Sequence, residues 1–163
     1  MKLYLLRHAE AAPTYPDAAR VLTAKGRATA DALGKFLAAR GGLPVEMIWH
    51  SPYARARETA ERVAAVLGLG HLLREMPDIT PEDDVRSILP AINALTAPCL
   101  LVGHNPHLTF LLSALLTGRE LGLPVNFKKG ALATLEGIPL TGMNPAGYEY
   151  WTLQGFLVPA VYS

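Results

Sequence analysis

The chain holds one cysteine, Cys99, so no internal disulfide can form. It sits in the apolar run Cys99-Leu100-Leu101-Val102, where a small core residue is expected rather than a nucleophile. Neither sign of charge is in excess. A formal net charge of +1 excludes the global basic field that steers nucleic-acid binders, so any anion site must come from a local cluster. Long apolar runs are missing as well. Leu3 to Leu6 gives four apolar residues before Arg7 and His8 interrupt, too few for a signal-peptide core and far too few to cross a membrane. A cytoplasmic protein without nucleic-acid or membrane partners is the expectation. No repeat, low-complexity tract or linker divides the sequence. With half its residues hydrophobic, the 163-residue chain can bury a core without staples, and residues 1–163 read as a single domain.

What is present alternates short apolar runs with amphipathic segments. Leu3 to Leu6, Val45 to Trp49 and Cys99 to Val102 read as buried strands, and Ala131 to Leu135 and Tyr148 to Phe156 as further strands. Thr23 is an N-cap for a helix to about Arg40 with an apolar stripe of Ala28, Ala32, Leu33, Phe36 and Leu37, ended by Gly41-Gly42. Ser51-Pro52 supplies a cap and a first-turn proline for a helix to about Leu67, in which Glu58 and Arg62 make an i,i+4 pair. Glu82 to Leu95 is a weaker helix that Pro90 kinks or breaks, and Asn105-Pro106 starts a helix to about Thr117. Gly118 to Lys129 and Gly137 to Gly147 read as loops. Strands alternating with helices predict an α/β fold, a three-layer α/β/α sandwich with a largely parallel central sheet.

Three of these strands end in polar clusters: Arg7-His8-Ala9-Glu10, His50-Ser51-Pro52 leading to Arg55, and Gly103-His104-Asn105-Pro106. Ligands of open parallel sheets bind outside the carboxyl ends of the strands, so two histidines and two arginines can converge on one crevice. Arginine's planar fork matches phosphate oxygens, and the first-turn position of Arg55 adds the free N–H groups of a helix N-terminus. A neutral histidine in such a pocket can attack phosphorus, and a second, protonated one can stabilise the equatorial oxygens. The arginines supply the positive charge, so no metal or other cofactor is expected. They would also repel a cation from a site built of His8, His104 and an acid.

Leu6-Arg7-His8-Ala9-Glu10 resembles the Arg-His-Gly motif of the histidine phosphatases, the phosphoglycerate mutase-like superfamily, with alanine in place of the usual glycine. Ser51-Pro52-Tyr53-Ala54-Arg55-Ala56, followed by Thr59-Ala60, resembles that family's second signature, and Gly103-His104-Asn105-Pro106 its third. Lys129-Gly130-Ala131-Leu132-Ala133-Thr134-Leu135 is similar to a segment of the SixA-like phosphohistidine phosphatases. The resemblance implies His8 as nucleophile, with Arg7, Arg55 and His104 as the catalytic phosphate pocket and Asn105 beside them.

Many relatives add a carboxylic acid that protonates the leaving group. Asp78 stands roughly where the family places it, with Glu10, Glu82 and Asp84 as alternatives; Glu82-Asp83-Asp84 also reads as a helix first turn. The short stretch between the second signature and the third strand leaves little room for a lid. An open site of that kind suits a phosphohistidine-containing protein. The rival readings are a phosphatase or mutase for small phosphorylated metabolites, and a phosphate-binding module without catalysis.

Overall fold

A computed structural model describes residues 1–139 and 148–163. The apolar runs form one six-stranded sheet of β1 (Lys2–Arg7), β2 (Met47–His50), β3 (Leu73–Glu75), β4 (Cys99–Gly103), β5 (Leu132–Pro139) and β6 (Tyr148–Leu157). Their order is β3-β2-β4-β1-β5-β6. The first four are mutually parallel; β5 lies antiparallel to both β1 and β6. Strand β3 is too short and too charged to show a periodicity in the sequence.

Along β1, Leu3 and Leu5 enter one core while Tyr4 and Leu6 enter the other. Strand β4 does the same with Leu101 and with Leu100 and Val102. Both faces are covered, which is why these strands read as continuous rather than alternating hydrophobics. Helices α1 (Ala24–Ala38) and α2 (Ala54–Leu67) cover one face. The other is covered by α3 (Leu89–Asn93) and α4 (His107–Thr117), so the predicted sandwich is observed. No helix among the described residues is long and apolar enough to cross a membrane.

Several local expectations change. Thr23 does cap α1, accepting from the Gly26 amide at 3.0 Å. The buried face, however, is Gly26, Ala30, Leu33, Gly34 and Leu37, and Ala28 is exposed. Gly26 and Gly34 join Leu33 and Leu37 on this face because α1 presses close to Glu10 and to Val66 of α2. Helix α2 begins at Ala54, and Ser51 closes the preceding turn by accepting from the Tyr53 amide at 3.3 Å. Pro90 lies in the first turn of α3, where its missing N–H costs nothing. The stretch before α3 is only a 3-10 turn, Val85–Ser87, capped by Asp84. Glu58 does not pair with Arg62. It takes Arg27 at 2.6 Å while Arg62 grips Asp31 at 2.5 and 2.9 Å, so these charges join α2 to α1. Residues 118–129 are irregular as expected. Gly137 to Pro139 belong to β5, and 140–147, the rest of the second expected loop, lie outside the described residues.

A Cβ at Gly26 would stand 2.0 Å from the Glu10 carbonyl oxygen. Gly26→Ala gains about 1 kcal/mol of helix propensity, but backbone cannot yield as a flexible side chain can. The clash wins, and we expect a net loss of about 2 kcal/mol, read from urea unfolding midpoints. An unchanged midpoint would mean that α1 can lift away from Glu10 freely.

Candidate active site

The pairing register assembles the site. Leu6 lies opposite Val102, Arg7 opposite Gly103, and His50 opposite Val102, so β1, β4 and β2 end level. The residues just beyond them, His8, His104 and Ser51, emerge along one edge of the sheet.

Backbone bonds from several segments fix His8. Its amide donates to the Gly103 carbonyl at 2.9 Å, and its own carbonyl accepts from Gly130 at 3.2 Å. The next amide, Ala9, donates to Thr59 Oγ1 at 3.1 Å, and that hydroxyl donates to the Arg55 carbonyl at 2.7 Å. The threonine of the second signature thus bolts the end of β1 to α2.

The His8 ring is 6% exposed in its residue and has two informative contacts. Nδ1–H donates to the Ala9 carbonyl at 2.7 Å, and Nε2 accepts from Arg55 Nε at 3.3 Å. Both contacts select the tautomer whose lone pair is on Nε2. Burial is the main force against the cation; the Ala9 carbonyl opposes it, and the Arg55 and Arg7 charges add to it, leaving a pKa of about 3.

Arg55 is buried and anchored from behind by Asp17, through the backbone carbonyl to Nη1 at 2.8 Å and the carboxylate to Nη2 at 3.0 Å. Asp17 went unseen in the sequence; the only available signal was that a buried arginine needs a carboxylate. Arg7 donates from Nη1 to the Phe127 carbonyl at 2.7 Å, and Asn105 Nδ2 donates to the same oxygen at 3.2 Å. The loop of residues 118–129 therefore reaches the site through a main-chain atom.

His104 is fully buried, its ring centroid 5.0 Å from that of His8, with the edge of Tyr53 against it at 5.3 Å. Burial first, then the His8 and Arg55 charges, disfavour its cation. The same surroundings work against the imidazolium expected there, and a bound anion's charge would favour it. Both ring nitrogens of His104 and Arg7 Nε are buried without a hydrogen-bond partner among the described residues. Each such orphan costs roughly 1–3 kcal/mol. Burial and the Arg55 charge also weaken the Arg7 cation. Buried, unpartnered nitrogens and crowded cations suit a tetrahedral oxyanion.

The acid candidates disperse. Asp78 is exposed in the 3-10 turn after β3 and makes no hydrogen bond among the described residues. Asp84 is engaged by Arg86, and Glu10 accepts from the Thr23 hydroxyl at 2.9 Å. Glu82 alone among them touches the pocket wall, accepting from the Tyr53 hydroxyl at 3.4 Å. His50 bonds to Ser51 O at 3.0 Å, His107 is buried in the first turn of α4, and His71 is exposed. Burial pushes the Cys99 thiol up to about 12, consistent with an inert core residue.

The histidines carry a pH signature. A folded pKa of about 3 against 6.5 unfolded means that the native state binds fewer protons between those values. The stability linked to His8 is complete above pH 6.5 and lost as pH falls toward 3, at up to about 1.4 kcal/mol per pH unit. We expect urea midpoints to fall more steeply between pH 6.5 and 4 in the wild type than in His8→Ala. Parallel profiles would rule out a neutral buried His8.

A profile of the Histidine phosphatase superfamily (branch 1) matches residues 3–79. The phosphohistidine phosphatase SixA of Escherichia coli K12 is 29% identical over 140 residues, spanning 83% of this chain and 84% of that protein. An uncharacterized protein of Picosynechococcus is 33% identical over 142 residues, again spanning 83% and 84%. Among solved structures, the protein histidine phosphatase SixA complexed with tungstate superposes with a TM-score of 0.84 at 26% identity, with all of both chains covered. Sequence profile, relatives and superposed structure agree: the chain belongs to the histidine phosphatase superfamily.

Proposed function

We propose that the protein is a phosphohistidine phosphatase acting on phosphorylated proteins, with His8 as nucleophile and Arg7, Arg55, His104 and Asn105 forming the phosphate pocket. The observation that carries this reading is the His8 ring, its Nδ1–H held by the Ala9 carbonyl and its Nε2 facing the Arg55 guanidinium, with the Arg7 charge near enough to disfavour the cation. Nε2 attacks phosphorus, an N–P bond to His8 forms, and the substrate's own P–N bond breaks as its imidazole leaves with a proton. Water then attacks phosphorus, releasing inorganic phosphate and returning the electron pair to Nε2. Glu82, through Tyr53, and Asp78 are the carboxyl groups to test as proton sources.

A protein substrate is supported by what lies around the pocket. Residues 68–98 are spent on β3, on 3-10 turns and on α3, whose Ile79, Val85, Ile88 and Ile92 are buried in the core, so that stretch supplies no lid. The descriptions of SixA, as a phosphohistidine phosphatase and a protein histidine phosphatase, point the same way.

The test is hydrolysis of a phosphohistidine protein beside an aryl phosphate, together with trapping of radiolabelled enzyme. Faster turnover of the protein and an alkali-stable, acid-labile label on His8 are expected. An aryl phosphate or phosphoglycerate turned over far faster than any phosphoprotein would transfer the reading to metabolite chemistry.

A further inference from the structure

The turn before β5 carries two consecutive lysines that the active site leaves unused. Lys128 and Lys129 are both exposed, yet their backbone cannot drift from the nucleophile. The Gly130 amide donates to the carbonyls of Arg7 at 3.0 Å and His8 at 3.2 Å, and the Arg7 amide donates to Ala131 at 3.0 Å. Across from this turn stand Glu10, two residues past His8, and Lys25 in the first turn of α1. Thr29 and Pro159 close the remaining sides, leaving a cleft of about 270 Å3.

Three lysines against one glutamate leave this cleft with two net positive charges, on a chain whose total is +1. Glu10 is already committed to Thr23 at 2.9 Å and to Lys25 at 3.8 Å. Neither Lys128 nor Lys129 has a carboxylate partner among the described residues. Lys129 also adds to the charges that disfavour the His8 cation, so the cleft and the nucleophile share one field. The volume is small for a cofactor, since small-molecule sites run from roughly 300 to 1,000 Å3. The cations are lysines, mobile point charges that tolerate variable geometry, whereas the fixed forks of arginine are kept for the phosphoryl site. That division suits carboxylates on a protein surface.

We propose that this lysine cleft seats an acidic segment flanking the phosphohistidine of the substrate protein; the proposal rests on the phosphohistidine phosphatase reading. Charge complementarity would hold the segment while the phosphoryl group enters between Arg7 and Arg55.

The experiment compares three probes: a phosphohistidine peptide flanked by Asp and Glu, its counterpart with Asn and Gln, and free phosphohistidine. Each is assayed with wild type and with a Lys25→Gln, Lys128→Gln double variant. Wild type is expected to favour the acidic peptide by about tenfold in kcat/KM, mainly through KM, an advantage that shrinks with salt. The double variant should treat both peptides alike while keeping its rate on free phosphohistidine, which also shows that it is folded. Equal rates of wild type on the two peptides, or a preference that survives in the double variant, would overturn the proposal and leave the phosphatase reading intact. Failure of wild type on all three probes would overturn both.

Discussion

His8→Ala is expected to lower kcat/KM for phosphohistidine by about ten-thousandfold or more, the scale on which loss of a nucleophile is felt. The substitution removes Nε2 and leaves the rest of the pocket standing. The amide of residue 8 still bonds to Gly103, and Ala9 still bonds to Thr59. Phosphate should therefore still bind, and the unfolding midpoint at neutral pH should change little beside the loss of rate. The vacated volume is that of an imidazole ring, so added imidazole should restore part of the turnover and appear as phosphoimidazole. Retention of even a tenth of the wild-type rate would remove His8 from the mechanism.

Arg55→Lys keeps the charge and loses the fork. One guanidinium here makes three separate bonds: Nε to His8, Nη1 to the Asp17 carbonyl, and Nη2 to the Asp17 carboxylate. An ammonium group cannot serve all three directions at once. We expect kcat/KM to fall by about a hundredfold to a thousandfold, the usual cost of one preorganised donor. Arg55→Ala should be at least as severe, and without the neighbouring charge the His8 pKa should rise from its value of about 3. Ring resonances of His8 followed against pH report that shift directly. A threefold loss of activity with an unmoved titration would show that Arg55 is only an anchor for the Asp17 loop.

The parts of this protein legible in sequence are those whose cause is local. Strands β1, β2 and β4 announce themselves because burial on both faces leaves no room for polar alternation, and Thr23 marks α1 because its side chain caps that helix. That His8, Arg55 and His104 lie together could be expected because parallel strands deliver their ends to one edge of a sheet. What escaped notice depends on contacts between distant segments. The α1 stripe holds at Leu33 and Leu37 and fails at Ala28, because Gly26 and Gly34 become core residues only through the close approach of Glu10 and Val66. The Glu58–Arg62 pair lost to Arg27 and Asp31 because α1 happens to lie alongside. Asp17 stands in a loop with no periodicity, and the Phe127 carbonyl that orients Arg7 and Asn105 is a backbone atom that any residue would supply.

The bonds that hold residue 8 in place join Gly103, Gly130 and, through Ala9, Thr59, positions separated by 95, 122 and 50 residues along the chain. No fragment of the polypeptide contains enough of them to shape the nucleophile. Amide hydrogens at His8, Ala9 and Gly130 should therefore exchange with solvent only through opening of the entire sheet, making them slow reporters of global unfolding. Hydrolytic activity would emerge during refolding as one of the last properties acquired, in step with the docking of β5 beside β1. A nick or circular permutation in the loop of residues 118–129 should be tolerated where it spares Phe127 and the Lys128–Gly130 turn, and should silence the enzyme where it does not.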